Sequence, residues 1–178
     1  KLNSRKDLLI YSYRVAGTVG LMMAKILRVN SERGLNSAID LGIAMQLTNI
    51  ARDVIEDKKR NREYIDHNII TIKETLKLAD MFYNSSFNSI KEIPISCRFA
   101  ILVARRVYRQ IGYEILKKKD LEDYESAGKI FVTNVGKIKQ TFLSLFDFII
   151  LIFLKPIRNS YNLSHEDIKK EINLNERF

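Results

Sequence analysis

The chain has 178 residues, of which 46% are hydrophobic and 29% are charged, and it carries a formal net charge of +9. This composition suits one domain with a substantial core and excludes an intrinsically disordered chain. The positive charge favours an anionic partner, and nucleic acid, a lipid surface and a phosphorylated small molecule all qualify. The single cysteine, Cys97, excludes an intramolecular disulfide bond, and the two histidines, His67 and His165, are too far apart in sequence for helical metal-ligand spacing.

Helix-forming residues dominate the sequence, whereas it contains only seven Gly and two Pro. We therefore predict an all-α fold. Apolar periodicity predicts helices over 8–29, 37–60, 70–90, 95–119 and 122–155, and Gly128 and Gly136 weaken the first half of the last one. We expect one domain unit over 1–155 and a polar C-terminal tail over 156–178.

One face of the second predicted helix carries oxygen-bearing side chains. At about 100° per residue, Asn49, Asp53 and Asp57 fall within roughly 80° of one another, and Gln46 projects into the same sector. The neighbouring sector is apolar and consists of Ile43, Leu47, Ile50 and Val54. The polar stripe therefore lies beside a core-facing stripe and could border a cavity.

Spacing alone leaves two interpretations of this stripe open. In the first, Asp53 and Asp57 are solvated acids that neighbouring cations neutralise. In the second, they bind Mg²⁺, which takes one or two protein carboxylates and completes its shell with water and phosphate oxygens. Basic residues of the same segment would then hold the remaining phosphate oxygens, and these residues are Arg52, Lys58, Lys59 and Arg60.

The helix over 11–24 has a small-residue side and a larger apolar side. Ala16, Gly20 and Ala24 recur at four-residue spacing, which lets a neighbouring helix approach closely. The opposite stripe contains Tyr11, Val15, Val19 and Met22, which by spacing alone are ordinary core residues, with Tyr11 at the core edge. The GTVG segment is not a phosphate loop, because no Lys-Ser/Thr pair follows it and no strand precedes it.

Two segments, YSYRVAGTVGLMM at 11–23 and LGIAMQLTNIARDVIEDKKRNREYI at 41–65, resemble the phytoene and squalene synthase family of head-to-head prenyl synthases. Their sequences are most similar to those of bacterial phytoene synthases. The likeness is specific, because a YxYRVAGTVG-like helix precedes a QLTNxxRDxxED segment and a tyrosine follows the last aspartate by seven residues. The segment EDYESAGKIFVTNVGKIK at 122–139 resembles the family's C-terminal part more loosely, and the whole likeness extends over about residues 8–145.

The resemblance implies an all-α, isoprenoid-synthase-type helical bundle around a central cavity that holds two allylic diphosphates with Mg²⁺. Asn49, Asp53 and Asp57 match the family's metal ligands in its second aspartate-rich motif, where Mn²⁺ is an alternative ion. The two aspartates are thereby also expected to be catalytic. The resemblance thus favours the metal-binding interpretation of the stripe over the solvated one.

The resemblance also implies substrate-binding residues. Gln46, Arg52 and Tyr64 match positions near the substrate diphosphates, and Tyr124 matches such a position less securely. Tyr11 matches a catalytic tyrosine that is proposed to assist ionisation or proton handling. Val15 and Val19 match isoprenoid-facing positions, which replaces the interpretation of both as ordinary core.

One departure from the family pattern concerns its first aspartate-rich helix. No acidic DxxxD cluster occurs upstream of Tyr11, where Asp7 stands alone. We therefore expect the chain to be the C-terminal portion of a longer enzyme and residues 1–178 alone to be inactive.

The implied reaction is the Mg²⁺-dependent condensation of two geranylgeranyl diphosphates through a cyclopropylcarbinyl diphosphate, prephytoene diphosphate, to phytoene, as in carotenoid biosynthesis. Squalene or dehydrosqualene synthesis from farnesyl diphosphate is the second candidate. No nicotinamide cofactor is expected for phytoene formation. A basic helical nucleic-acid binder and a catalytically silent partner subunit are the non-enzymatic alternatives, although no nucleic-acid-binding motif is present.

The apolar segment FLSLFDFIILIFL at 142–154 is too short to span a membrane, and Asp147 interrupts it. A C-terminal core helix is one interpretation. Peripheral membrane contact is the other, because apolar bulk flanked by Lys137, Lys139, Lys155 and Arg158 suits an anionic interface. We accordingly expect a cytoplasmic protein that can contact the inner membrane surface, and the sequence does not predict its oligomeric state.

Overall fold

The computed structural model describes residue 2 and residues 4–153 and 163–175, and within these ranges it contains helices and no strand. The predicted all-α class is therefore confirmed. In chain order the elements are α1 (Arg5–Ser12), a π-helical turn (Tyr13–Gly17), α2 (Thr18–Ile26), α3 (Glu32–Arg52), α4 (Val54–Lys59), α5 (Ile69–Phe87), a 3₁₀ helix (Asn88–Glu92), α6 (Ile95–Leu116), α7 (Leu121–Ser126), α8 (Asn134–Phe153) and α9 (Leu163–Ile168).

Side-chain caps determine where several helices begin. The hydroxyl of Ser31 accepts a hydrogen bond from the backbone N–H of Gly34 (2.9 Å), and the side chain of Asn68 accepts one from the N–H of Thr71 (2.8 Å). The Ser31 cap starts α3 at Glu32 rather than at the predicted residue 37. Residues 32–36, which lie between the first two predicted helices, therefore belong to the start of the helix that carries the polar stripe.

The first predicted helix contains a change of winding that apolar periodicity does not show. Between α1 and α2 the turn Tyr13–Gly17 is π-helical, and the N–H of Thr18 donates to the carbonyl of Tyr13. Such wide turns occur frequently at functional sites, because they re-aim neighbouring side chains. Tyr11 precedes this turn and Val15 lies within it.

The prediction of one helix over 122–155 is wrong. Gly128 adopts φ of +62°, a left-handed conformation that favours glycine, and it separates α7 from α8. A six-residue helix and a 20-residue helix, joined by residues 127–133, replace the predicted single helix. Helix α8 packs against α6.

Helix α3 lies at the centre of the fold and packs against α2, α5 and α6. The predicted core-facing stripe is confirmed, since all four of its residues are buried: Ile43, Leu47, Ile50 and Val54. Leu21 of α2 and Phe82 of α5 are completely buried against the same core. Burial of this stripe orients the neighbouring polar stripe of α3.

Helix α8 has an unusual orientation, because its polar side faces the protein. Gln140, Ser144 and Asp147 are buried, Asp147 pairs with Arg106 of α6 at 2.7 Å, and Gln140 donates to Gln110 at 2.9 Å. Its exposed apolar side chains, 45–79% accessible, are Val135, Ile138, Phe142, Leu145, Phe146, Ile149, Ile150, Ile152 and Phe153. The core-helix interpretation of the segment is therefore wrong for this face.

The described part of the polar tail packs against the start of the chain. Helix α9 contacts α1, Ile168 is fully buried, and Glu171 accepts a 2.6 Å salt bridge from Arg14. Residues 154–162 and 176–178, which belong to the predicted end of the domain and to the predicted tail, lie outside the described residues. Across the described ranges, no helix has both the length and the apolar character needed to cross a membrane.

Candidate active site

The three predicted metal ligands remain in register on one side of α3 and α4 although the helix is interrupted between them. Asp53 is the junction residue, with φ of −102° and ψ of 14°. The N–H of Asp53 still donates to the carbonyl of Asn49 (2.9 Å), and the N–H of Asp57 donates to that of Asp53 (2.8 Å). The four-residue helical spacing is thus retained, and the amide and both carboxylates lie along one stripe.

Asp53 is held by two cations. Arg52 donates to both carboxylate oxygens, with Nε 2.8 Å from Oδ1 and Nη2 2.7 Å from Oδ2. Lys129, from the segment between α7 and α8, places its Nζ 3.3 Å from Oδ1. Burial by itself raises the pKa of Asp53, but the hydrogen bonds and charges of Arg52 and Lys129 outweigh burial and lower it. Asp53 is therefore ionised well into the acidic range.

Asp57 is in the opposite electrostatic situation. Burial raises its pKa, and so does the negative charge of Asp53, while Arg62 and Arg60 oppose the rise only partly. No hydrogen bond or ion pair to its carboxylate, or to the side chains of Asn49 and Gln46, occurs in the described part of the chain. These oxygen atoms are half-buried and available to a ligand.

The described residues do not form a complete metal-binding cluster of acids. Nowhere among residues 2, 4–153 and 163–175 do three or more His, Cys, Asp or Glu side chains gather closely enough to hold a metal ion. The stripe provides two carboxylates and one amide. An ion bound here would need further oxygen atoms, from water, from a phosphorylated ligand or from other protein groups.

Tyr11 and Tyr64 adjoin the Asp57 end of the stripe. Their rings stack with centroids 4.8 Å apart and planes inclined by 28°. Burial, the neighbouring Tyr64 hydroxyl and the charge of Asp57 raise the pKa of Tyr11 to about 12. Tyr64 and Asp57 also line one small cavity of about 20 Å³ together with Arg62. Tyr11 is consequently a neutral hydrogen-bond donor at physiological pH.

Tyr124 reaches the same region but contacts backbone atoms. Its side chain is 1% exposed, and its hydroxyl donates to the carbonyls of Ala51 (2.9 Å) and Arg52 (2.8 Å). Burial is the main cause that raises the pKa of this hydroxyl. Tyr124 therefore caps the last carbonyls of α3 directly beside Asp53. The contact between Tyr124 and a substrate diphosphate stays a prediction.

Val15 and Val19 open onto an apolar groove that α3 also lines. Both side chains are nearly half exposed, and the groove has a volume of about 370 Å³. Its walls come from the π-helical turn, α2, α3, the 3₁₀ helix and α6, and they include Met23, Leu41, Met45, Ile90 and Ile101. The valines are therefore groove residues rather than core residues.

The small residues predicted to permit close helix packing do so. A Cβ atom on Gly20 would lie 2.2 Å from the carbonyl oxygen of Ala38, and one on Gly42 would lie 2.2 Å from that of Ala16. The backbone of α3 therefore touches the backbones of α2 and of the π-helical turn. Val15 and Val19 remain nearly half exposed and line the groove together with residues of α3.

Only one of the four basic residues near the stripe, Arg52, contacts it. Arg52 binds Asp53, whereas Lys58 lies 2.9 Å from Nδ1 of His67, and Lys59 and Arg60 are exposed. Sequence reasoning missed Lys129. It is one of 30 basic residues, and no local signal distinguishes it, because only the fold brings it to Asp53.

The chain is similar in sequence to known proteins. Residues 1–71 match the family model described as squalene/phytoene synthase. The chain is 37% identical over 131 residues to phytoene synthase of Pseudescherichia vulneris, and 38% identical over 129 residues to 15-cis-phytoene synthase of a Paracoccus species; each match covers 62% of this chain and 42% of the relative. The chain thus spans less than half the length of these curated relatives.

A solved structure has the same fold. The crystal structure of a dehydrosqualene synthase in complex with ligand superposes with a TM-score of 0.68 at 27% identity, covering 82% of this chain and 58% of that one. The predicted isoprenoid-synthase-type architecture is therefore confirmed.

Proposed function

Because the chain belongs to the squalene/phytoene synthase family, we propose that it supplies the second aspartate-rich motif of a phytoene synthase, which condenses two geranylgeranyl diphosphates head to head. One observation carries this proposal. The row of Asn49, Asp53 and Asp57 follows the second half of α3 into α4, and the apolar groove that Val15 and Val19 line includes Leu41 and Met45 of the same α3. One helix thereby contributes both to a polar site for diphosphate and to an apolar site for a prenyl chain.

The donor set fits Mg²⁺, with Mn²⁺ as an alternative. Its atoms are hard oxygens, and the raised pKa of Asp57 reflects burial and, after it, repulsion from Asp53, which a bound cation would relieve. Such an ion, when bound, stabilises the negative charge of a departing diphosphate. Asn49, Asp53 and Asp57 would hold it, and no nicotinamide cofactor is needed for phytoene formation.

The remaining side chains have separate tasks in this proposal. Gln46, whose amide has no hydrogen-bond partner among the described residues, binds diphosphate oxygen, and Arg52 supplies a fixed guanidinium beside Asp53. Tyr64 orients Tyr11 through the ring stack, and Tyr11 donates its proton as a hydrogen bond rather than acting as a base. Tyr124 acts indirectly, because it fixes the end of α3.

The apolar groove protects reactive intermediates. An allylic cation reacts with any water that reaches it, and the walls around Val15 and Val19 are almost entirely aliphatic. Dehydrosqualene synthesis from farnesyl diphosphate is the second candidate, favoured by the solved structure that shares the fold. Groove length would distinguish a C15 from a C20 substrate.

The test is product analysis with the naturally expressed protein. Given Mg²⁺ and geranylgeranyl diphosphate, it should form phytoene without reduced nicotinamide, whereas a preference for farnesyl diphosphate would favour the second candidate. Asp53→Ala and Asp57→Ala should each reduce turnover by about a hundredfold or more. Glu122→Ala, which removes an exposed acid from α7, is the control. Normal turnover in both aspartate variants would contradict the assignment.

We also propose that α8 contacts an anionic membrane surface peripherally. Its outward face is apolar over five turns, and the exposed Lys137 and Lys139 lie at its N-terminal part. An amphipathic helix with flanking cations suits the interface of an anionic bilayer, and the net charge of +9 acts in the same direction. Such a location would give the apolar product direct access to lipid.

Flotation with vesicles tests the membrane proposal. The chain should float with vesicles rich in phosphatidylglycerol more than with phosphatidylcholine vesicles, and Phe142→Ser with Phe146→Ser should abolish the difference. Ile70→Ser, at an exposed apolar residue of α5, is the matched control. Equal flotation of the double variant and the wild type would contradict membrane docking through α8. A dimer that forms through the same face of α8 and does not bind vesicles would also contradict it.

A further inference from the structure

Lys129 bridges two acids at the polar stripe. Its Nζ lies 2.6 Å from Oε2 of Glu56 on α4 and 3.3 Å from Oδ1 of Asp53. Lys129 comes from the segment after α7, far from α3 and α4 in sequence. It is thus a cation that the tertiary fold delivers to a candidate metal ligand.

The backbone around Lys129 is fixed on both sides. Gly128 precedes it in the left-handed conformation, and Ile130 follows it with a buried side chain. Five residues upstream, Tyr124 is anchored to the carbonyls of Ala51 and Arg52. The position of Lys129 relative to Asp53 therefore follows from three buried or conformationally restricted neighbours.

Two cations adjoin the Asp53 carboxylate. A carboxylate offers about four lone-pair directions, and Arg52 uses one at each oxygen. The ammonium group of Lys129 forms an ion pair with Oδ1 at 3.3 Å. A divalent ion that binds Asp53 must therefore come close to Lys129, and two like-charged groups repel each other there.

On the function proposed above, we propose that Lys129 is a positioning residue that competes with the divalent cation for Asp53. It holds the carboxylate in place until the ion binds, and it then retains only its bond to Glu56. The two distances agree with this exchange, because the bond to Glu56 is the shorter one. The flexible lysine stem suits such a movement better than the planar guanidinium of Arg52 would.

The structure also provides space for the displaced ammonium group. Lys129 lines an open polar cleft of about 720 Å³ between α6 and the start of α8, which Lys117, Lys118 and Lys139 also line. One third of the Lys129 side chain is solvent-exposed. The Nζ group can thus turn from Asp53 toward solvent without disturbing the core.

Binding of Mn²⁺ to the full chain, followed by the electron paramagnetic resonance signal of the free ion at low salt, tests this proposal. Lys129→Met should bind Mn²⁺ about fivefold more tightly than the wild type, because a like charge has been removed next to Asp53. Lys129→Gln should give the same result. Lys118→Met is the matched control, since Lys118 lines the same cleft but pairs with Asp123 at 3.1 Å.

A double-mutant cycle separates competition at Asp53 from a general charge effect. In the Asp53→Asn background, Lys129→Met should no longer increase Mn²⁺ affinity. A gain that persists in this background, or no gain in the wild-type background, would overturn the role of Lys129. If Asp53→Asn and Asp57→Asn both leave Mn²⁺ binding unchanged, the metal site of the proposed function fails as well, so the two failures are distinguishable.

Discussion

The ring of Tyr11, in α1, stacks on the ring of Tyr64, in the segment after α4, with the ring centroids 4.8 Å apart. The contact connects the two segments that carry the family resemblance. It also places the Tyr11 hydroxyl near the charge of Asp57, which is one cause of its raised pKa. The stack therefore couples the tyrosine to the acidic stripe.

Ionisation of Tyr11 should be visible in an alkaline titration. Its pKa is about 12 in the folded chain, above the value of about 10 for an unfolded tyrosine. A raised folded pKa means that this group's contribution to stability is complete below pH 10 and is lost as pH rises toward 12. The ultraviolet difference titration between wild type and Tyr11→Phe should show one transition near pH 12, and Tyr64→Leu should lower its midpoint. A midpoint near pH 10 in the wild type would contradict the coupling.

Asp53 and Asp57 should affect stability with opposite signs when no divalent ion is present. The folded state lowers the pKa of Asp53, so its charge stabilises the fold above its unfolded pKa and this contribution is lost on acidification. The folded state raises the pKa of Asp57, so its charge is unfavourable at neutral pH. In urea unfolding at pH 7 with a chelator, Asp53→Asn should destabilise the chain by about 1 kcal/mol and Asp57→Asn should stabilise it slightly. Shifts of the same sign would show that the two acids have equivalent environments.

The close contact between α3 and the π-helical turn should not tolerate a larger residue. In Gly42→Ala, the added methyl group would lie 2.2 Å from the carbonyl oxygen of Ala16, so the helices must separate. We expect a loss of about 1–3 kcal/mol in the free energy of unfolding. Gly112→Ala is the control, because its nearest neighbour is the mobile end of Leu76 at 3.2 Å, and a helix-interior alanine is favourable there. Equal stability of the two variants by chemical denaturation would refute the close-packing interpretation.

The inward-facing polar side of α8 should contribute more to stability than its apolar side. Asp147→Asn removes the charge from a largely buried pair with Arg106, and we expect a loss of about 2 kcal/mol. Phe146→Ser removes an exposed ring and should change stability by less than about 0.5 kcal/mol. Thermal and urea unfolding monitored by circular dichroism measure both. A larger loss from the phenylalanine variant would show that this face is covered.

Features that depend on local spacing along the chain could be predicted from the sequence, whereas features that depend on contacts between distant residues could not. The oxygen row on α3 and its apolar neighbours follow from helical periodicity, so Asn49, Asp53 and Ile43 could be placed correctly from sequence. The π-helical turn and the break after Ser126 could not, because tertiary packing and one glycine conformation override propensity there. The helical spacing of Val15 and Val19 is the same as that of core residues, and only the family resemblance indicated that they line a groove.

The sequence by itself determined the helical class, the face on which the amide and carboxylates lie, and the family resemblance, because these depend on residue type and short-range spacing. The tertiary structure alone decided what each polar group contacts. Lys129 reaches Asp53, Tyr124 reaches the end of α3, and Asp147 turns the polar side of α8 inward. These pairings join residues distant in the chain, and their energies depend on distances and burial that appear only when the helices pack.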